Sequence, residues 1–480
     1  MPVGLPWTGD STMYATHIAL AAILIAAVAC TDATSPAAPS DSLATTKQLP
    51  TPTLPTVNAS STAPASLYND YSSTSPHWSH ITTMMTDFYY SWTTSERAWA
   101  GAHYDFAMSG TGSAWRAGNP SVGHYPYALS WTTMTAPGSL ASSYYADMKS
   151  WFAVHPQYAL EKAFVHKKGS VGDSASRVYF NRWGSNRWAI NPGDAGAVAY
   201  SVNRVQRVVG AENGVFFDEA SSGDINNWLP ATREYASGSA YFTSLTQLVG
   251  AVRQGIGGKR IVLNLAEYMT DGDYAAAVAA GGVHLEMFNN FKQSSMISRW
   301  VWVGRLTTAG VFVDFVSTYS TQDMAGMTTS YPKGNSPTNV QRAKLWELSS
   351  YYLAVGASPK LFAIQLENLW NKPYSTIWTK AQEANIGHPL ATRVQVAHGI
   401  DPQGNPYVIY NRDFDRALIV LRLQTGWNAQ TYGDGSAIPV TLPAGEVWIP
   451  LNADGTVGAA ITSLKLRNSE AAILLKGSKM

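Results

Sequence analysis

Asp218 and Glu219 follow directly on Gly214-Val215-Phe216-Phe217, so two carboxyl groups stand where a continuous apolar run ends. Such a run carries the chain through a core, and the first polar positions beyond it are where a buried strand delivers functional groups. Glu286 follows Val283-His284-Leu285 and is succeeded by Met287 and Phe288. A carboxyl group inside an apolar run is costly unless it is paired or opens into a cleft. Carboxyl groups in two such settings are the material of general acid–base chemistry, or of a nucleophile working with a proton donor. The plainer alternatives stay open: a helix cap or an Arg ion pair for Asp218 and Glu219, and a buried Glu–Arg pair for Glu286.

Other apolar runs end in polar residues as well. Asp105 lies in Ala102–Met108, His166 ends Lys162–His166, and Asn264 ends Arg260–Asn264. Asp105 would bind substrate hydroxyls or hold the floor of the fold, and Asp314, between Val313 and Phe315, reads as structural. His166 has no second His at ligand spacing, so it reads as a hydrogen-bonding pocket residue; no metal and no cofactor are expected. Trp131, Trp188 and Tyr268 stand near the ends of runs, with Trp183, Phe288 and Trp370 in similar places. Singly each reads as core, but as a set they suit a cleft for sugar rings, whose apolar faces pack on aromatic faces.

The elements that must position these residues alternate. The strand-like runs are Ala102–Met108, Tyr125–Trp131, Lys162–His166, Gly214–Asp218, Arg260–Asn264, Gly282–Met287, Gly310–Phe315 and Lys360–Ile364. Between them Ala195–Val209, Phe242–Ile256 and Val340–Leu353 place apolar residues at i, i+3, i+4 and i+7, as helices packing one face on a sheet do. Eight strands alternating with helices predict an α/β fold of the (β/α)8 TIM-barrel type, with functional groups at the C-terminal ends of the strands. From about Thr392 only short strands and turn signals remain, which predicts an appended antiparallel β-sandwich. The expected division is 1–30 leader, 31–66 tether, 67–391 barrel and 392–480 sandwich.

The 480 residues carry 33 basic against 32 acidic side chains, a formal charge of +1, which gives no electrostatic case for nucleic acid. The single Cys excludes an intrachain disulfide and a multi-cysteine zinc site. That residue, Cys30, follows the apolar run Ile18–Ala29, which suits a signal-peptide core better than a membrane-spanning helix. Ala27-Val28-Ala29-Cys30 resembles a bacterial lipobox; the alternative is an ordinary secretory signal cleaved near Ala29. Lipidation at Cys30 and a Ser/Thr/Ala/Pro-rich disordered tether would place the folded part outside the cytoplasm, anchored to a membrane of the cell envelope or secreted.

The segment Asn213–Ala220 (NGVFFDEA), with Trp188-Ala189-Ile190-Asn191-Pro192 upstream and His284-Leu285-Glu286 downstream, resembles the hypothetical glycosyl hydrolase family 15. More distantly it is similar to the endo-α-1,4-polygalactosaminidases. The resemblance implies a glycoside hydrolase barrel acting on a poly- or oligosaccharide, with Asp218 as nucleophile or base and Glu286 as proton donor. Burial of Glu286 among Val283, Leu285, Met287 and Phe288 would favour the protonated form that an acid needs. Asn191 joins Asp105, Trp131, His166, Trp188, Glu219, Asn264 and Tyr268 as expected substrate-binding residues. Two other classes remain: a non-catalytic glycan-binding surface lipoprotein, and a purely structural surface protein.

Overall fold

The structure is a computed structural model that describes residues 82–84, 93–108, 115–117, 120–134, 142–182, 185–265, 269–285, 293–316, 337–356, 362–365, 379–424, 437–467 and 470–477. Every described residue belongs to one compact unit, Ala59–Met480. The expected leader with Cys30 and the tether to residue 66 lie outside the described residues.

In chain order the first elements are β1 (Thr82–Met84), α1 (Thr94–His103), β2 (Phe106–Met108), β3 (Gly123–His124), β4 (Tyr127–Leu129), β5 (Thr132–Met134) and α2 (Ser142–Ala153). There follow β6 (Tyr179–Arg182), β7 (Ser185–Ala189), α3 (Ala195–Val209), β8 (Gly214–Asp218), α4 (Ser222–Trp228), α5 (Gly238–Gly255) and β9 (Arg260–Asn264). Then come α6 (Asp271–Ala280), β10 (Gly281–Leu285), α7 (Gln293–Thr308), β11 (Phe312–Val316), α8 (Pro337–Ala354) and β12 (Phe362–Gln365). The last strands are β13 (Val394–Ile400), β14 (Pro406–Asp413), β15 (Ala417–Gln424), β16 (Ile438–Val440), β17 (Trp448–Leu451), β18 (Leu464–Leu466) and β19 (Ala471–Lys476).

The fold is mixed α/β, with parallel sheets and separate antiparallel ones. Six parallel strands pair in the order β12-β11-β10-β9-β8-β4, and β1-β2-β3 form a second parallel sheet. β3 and β4 belong to one stretch, interrupted only by Tyr125-Pro126, and β1 lies beside β12. No ladder joins β1 to β12 among the described residues.

Strand alternation sorts the side chains. Val215, Phe217, Ile261, Leu263, Val283, Leu285, Val313 and Phe315 join the large core with helix residues such as Leu245, Leu248 and Trp300. The intervening positions Phe216, Val262 and Phe312 pack with Met108 and Tyr125 in a smaller cluster on the other face. Gly214 is required at the start of β8, because a Cβ there would strike the Arg260 carbonyl oxygen.

One expected strand is replaced. Leu160–Ala163 wind into a 3-10 turn, and Phe164 and His166 make isolated antiparallel bridges to Ile190 and Arg177. Lys162–His166 therefore lies outside the parallel sheets, in an arm built around the antiparallel ladder β5-β7-β6. Its apolar run is too short to distinguish a parallel strand from an isolated bridge. β1 lies ahead of all the expected strands.

After residue 392 the strands are antiparallel, in a five-stranded sheet β13-β14-β15-β19-β17 and a pair β16-β18. Leu418, Val420 and Leu474 face Val440 and Leu466 of the small pair. Ile419, Leu421 and Ile473 face the other way and join the large core that includes Trp346 and Tyr352 of α8. The antiparallel part thus shares an apolar interface with the helices of the parallel part.

Candidate active site

The paired registers place four polar residues in one row across the parallel sheet. Asp218 is level with Asn264, Asn264 is paired with His284, and His284 is paired with Asp314. The row below it is Phe216, Val262, Gly282 and Phe312, so aromatic packing gives way to polar side chains one step toward the C-terminal ends of the strands.

Asp218 ends β8 half-buried. Asn264 Nδ2 donates to its Oδ1 at 2.8 Å, and the Glu219 backbone N–H donates to the same oxygen at 2.9 Å. Tyr127 Oη donates to Oδ2 at 3.0 Å. Burial, together with the charges of Asp218 and Glu219, pushes the Tyr127 phenol well above its ordinary pKa, so it keeps the proton it donates. Among the described residues, two donors occupy Oδ1 and one occupies Oδ2. Oδ2 is therefore the oxygen with lone-pair capacity left for attack or proton abstraction.

Glu219 has φ of +54°, and it is the sole non-glycine residue with positive φ among the described residues. Such a conformation costs about 1–3 kcal/mol and persists where its surroundings enforce it. Arg187 of β7 forms an ion pair with the Glu219 carboxylate, and Trp131 Nε1 donates to the Glu219 carbonyl. Ala220 N–H donates to the Asn264 carbonyl at 3.0 Å. Just beyond, the buried Asp273 accepts from the N–H and hydroxyl of Ser222 and from the N–H and hydroxyl of Thr270, which pins the start of α4 to the start of α6.

At the far end of the row His284 Nδ1 hydrogen-bonds Asp314 Oδ2, and both residues are fully buried. The edge of Phe216 meets the His284 ring, with centroids 5.3 Å apart. Burial raises the Asp314 pKa, and the His284 partner pulls it back.

The other expected residues are distributed as follows. Asn264 and Glu219 meet Asp218, but Glu219 is only 7% exposed and its carboxylate is committed to Arg187. Trp131 is 1% exposed and packs edge-on against Tyr241, so its ring is a support and not an open platform. Asp105 precedes β2, whereas Asp218 ends β8, so in these parallel strands the two stand at opposite ends. Asn191 Oδ1 accepts from Tyr235 Oη and from Gly193 N–H, which folds the loop before α3. Trp188 lies among Tyr145, Phe164 and the Arg177 guanidinium; it faces away from its neighbour Arg187, as alternation along β7 requires. Glu286 and Tyr268 lie outside the described residues, as do Trp183, Phe288 and Trp370.

Tyr127, Arg187 and the His284–Asp314 pair were not among the expected site residues. The ends of β8, β9, β10 and β11 carry a sequence signal, a polar residue two positions beyond an inward apolar or glycine residue. Arg187 carries none, because the pairing of the arm brings it to β8.

His166 sits between two carboxylates, with Nδ1 2.8 Å from Glu234 Oε1 and Nε2 3.0 Å from Glu161 Oε1. Arg177 grips Glu161 with Nε at 2.7 Å and Nη2 at 2.6 Å. Burial opposes ionisation of Glu161, but hydrogen bonds from Arg177 and His166 outweigh it and hold the carboxyl below its usual range. A depressed carboxyl pKa contributes stability that is present above the unfolded value, roughly 4.3, and is lost as pH falls through the folded value. Thermal unfolding from pH 6 to pH 3 should therefore show Glu161→Gln less stable than wild type at pH 6, with the gap closing below roughly pH 4.3. A gap independent of pH would mean that ionisation of Glu161 contributes nothing. A cavity of about 190 Å³ lies near this arm, lined by Leu229, Thr232, Tyr235 and Gly238 among others, and no member of the Asp218 row lines it.

No protein-family model and no curated protein sequence matches the chain. Several solved structures are similar to it at low identity. A cycloisomaltooligosaccharide glucanotransferase from Paenibacillus sp. aligns at 9% identity and TM-score 0.34, over 84% of this chain and 56% of that one. The chain thus spans little more than half the length of that protein. An α-amylase from Anoxybacillus aligns at 8% identity and TM-score 0.45, over 85% of this chain and 99% of that one. A β-L-arabinopyranosidase from Geobacillus stearothermophilus, in complex with arabinose, aligns at 10% identity and TM-score 0.43, over 84% and 98%. With these TM-scores below 0.5, the functional reading is carried by the site's own geometry.

Proposed function

We propose that the protein is a glycoside hydrolase whose eight parallel strands close into a (β/α)8 barrel, with Asp218 as nucleophile or base and Glu286 as proton donor. The observation that carries the reading is the Asp218 carboxylate at the C-terminal end of β8, fixed by Asn264, Tyr127 and the Glu219 N–H with Oδ2 left able to react. A glycosidic bond is cleaved between two carboxyl groups, one protonating the leaving oxygen and the other attacking the sugar or activating water. Glu286 directly follows Leu285, the last residue of β10, and β10 is separated from β8 only by β9. The chemistry needs no cofactor or metal.

Release of reducing ends from a polysaccharide panel, and of nitrophenol from a panel of 4-nitrophenyl glycosides, tests the reading. Cleavage by wild type that is absent in Asp218→Asn supports it. Binding of a glycan with no cleavage by wild type would move the protein to the glycan-binding class. Within the same reading, Tyr127→Phe removes the donor that orients Oδ2 and should lower kcat by about 10-fold with little change in KM, the effect of a reacting oxygen less well aimed. An unchanged kcat would remove Tyr127 from the mechanism.

A further inference from the structure

The groups of Glu219 join two parts of the molecule. Its N–H is on Asp218 Oδ1, its carbonyl accepts from Trp131, and its carboxylate pairs with Arg187. Trp131 and Arg187 both belong to the antiparallel arm, where Thr132 pairs with Ala189 and Met134 with Arg187. The Ala220 N–H is fixed on the Asn264 carbonyl. With that bond in place, a negative φ at residue 219 would rotate the 218–219 peptide and take its N–H off Oδ1. The left-handed φ of +54° is what lets the chain return to β9 while the N–H stays on the carboxylate.

We infer that Glu219 is a positioning residue: its left-handed backbone, held by Arg187 and Trp131, aims the Asp218 carboxylate, so the antiparallel arm is a working part of the site. The inference rests on the glycosidase reading and assigns the Glu219 carboxylate no contact with substrate. It separates what the backbone at 219 does from what the side chain does, and glycine is the residue that tells them apart. Glycine adopts positive φ without strain and has no need of Arg187 to hold it there.

Four variants test this on the panel glycoside or polysaccharide that wild type cleaves fastest. Glu219→Gly should keep kcat within about 5-fold of wild type, because the required backbone is accessible to it. Glu219→Val, β-branched and resistant to positive φ, should lower kcat by on the order of 10–10²-fold with KM nearly constant. Arg187→Met should do the same, and the double variant Arg187→Met with Glu219→Gly should recover kcat toward that of Glu219→Gly. A support that acted only on folding would shift the melting temperature without this split between kcat and KM, and without this rescue. Should Arg187→Met fail to fold, the contrast between Gly and Val at 219 still decides.

Loss in Glu219→Gly as deep as in Asp218→Asn would overturn the inference and make the Glu219 side chain catalytic. Equal kcat for Gly and Val would overturn it too. A second measurement needs no turnover. In [15N]Glu-labelled protein the Glu219 amide, identified by its loss in Glu219→Gly, should shift upfield in both Asp218→Asn and Arg187→Met. If no sugar is cleaved, the glycosidase reading fails, and the amide alone decides: an unmoved signal in both variants sinks the positioning role.

Discussion

Asp218→Asn is expected to lower kcat by on the order of 10²–10⁴-fold if Asp218 is a base, and by more if it is the nucleophile. The fold should survive the change. Oδ1 already faces two donors, the Asn264 amide and the Glu219 N–H, so the amide oxygen of the introduced side chain should settle there. Its NH2 group then falls at the position of Oδ2, where the Tyr127 hydroxyl can turn to accept. The melting temperature should move little while the group that attacks or takes a proton is gone. Glu286→Gln should also be impaired, with a different signature. A proton donor matters most for poor leaving groups, so 4-nitrophenyl glycosides should suffer less than polysaccharides. Loss of a nucleophile or base spares neither. Full activity in both variants would eliminate the mechanism, and the glycan-binding alternative would then lead.

The place of Asp218 at the end of a strand could be read from the chain because Val215-Phe216-Phe217 marks where the strand is buried and where it emerges. The same clarity made Gly214–Asp218, Arg260–Asn264 and Ala195–Val209 legible to their ends: each is a strongly patterned segment bounded by a turn or a cap. What holds Asp218 was less legible. Tyr127 is 91 residues away in sequence, and its contact follows from the register Tyr127↔Phe216, which puts the residue one step below Asp218 with its hydroxyl in reach of the carboxylate. Arg187 depends on an antiparallel arm one of whose segments, Lys162–His166, reads in sequence as one more parallel strand. Trp131 shows the other limit. An aromatic at the end of a run can face solvent or core, and the choice is made by Tyr241 and by the Glu219 carbonyl, neither of which is near in sequence. The turn-rich tail was simpler, since its runs pair with the next run, with the last strand or, for β16 and β18, across a single intervening strand.

Arg412→Met is expected to destabilise the protein by about 1 kcal/mol, the net of two opposed effects. Arg412 lies on β14, 7% exposed, and donates to the carbonyls of Tyr352, Val355 and Ala391. Tyr352 and Val355 stand at the C-terminal end of α8, whose last carbonyls have no partner within the helix and whose dipole favours a cation there. Burial, and then the nearby Arg393 charge, pull the Arg412 pKa down to about 10, so it remains charged at neutral pH but at a cost. Removing the charge recovers roughly 3 kcal/mol at most. Leaving the two buried carbonyls, those of Tyr352 and Val355, without this donor costs about 1–3 kcal/mol each, and the larger sum should win, since the Ala391 carbonyl is exposed and can turn to water. The site of the damage matters as much as its size, because Arg412 ties the antiparallel part to α8 beside the apolar interface of Trp300 with Tyr410 and Tyr352 with Phe414. With the polar tie gone, the two parts should lose cooperativity, and calorimetry should resolve two transitions where wild type shows one. Arg412→Lys, which keeps the charge but cannot span three carbonyls, should fall between the two. If the Met variant melts as wild type does, in one transition at the same temperature, the apolar contacts alone hold the two parts together and the buried guanidinium contributes no net stability.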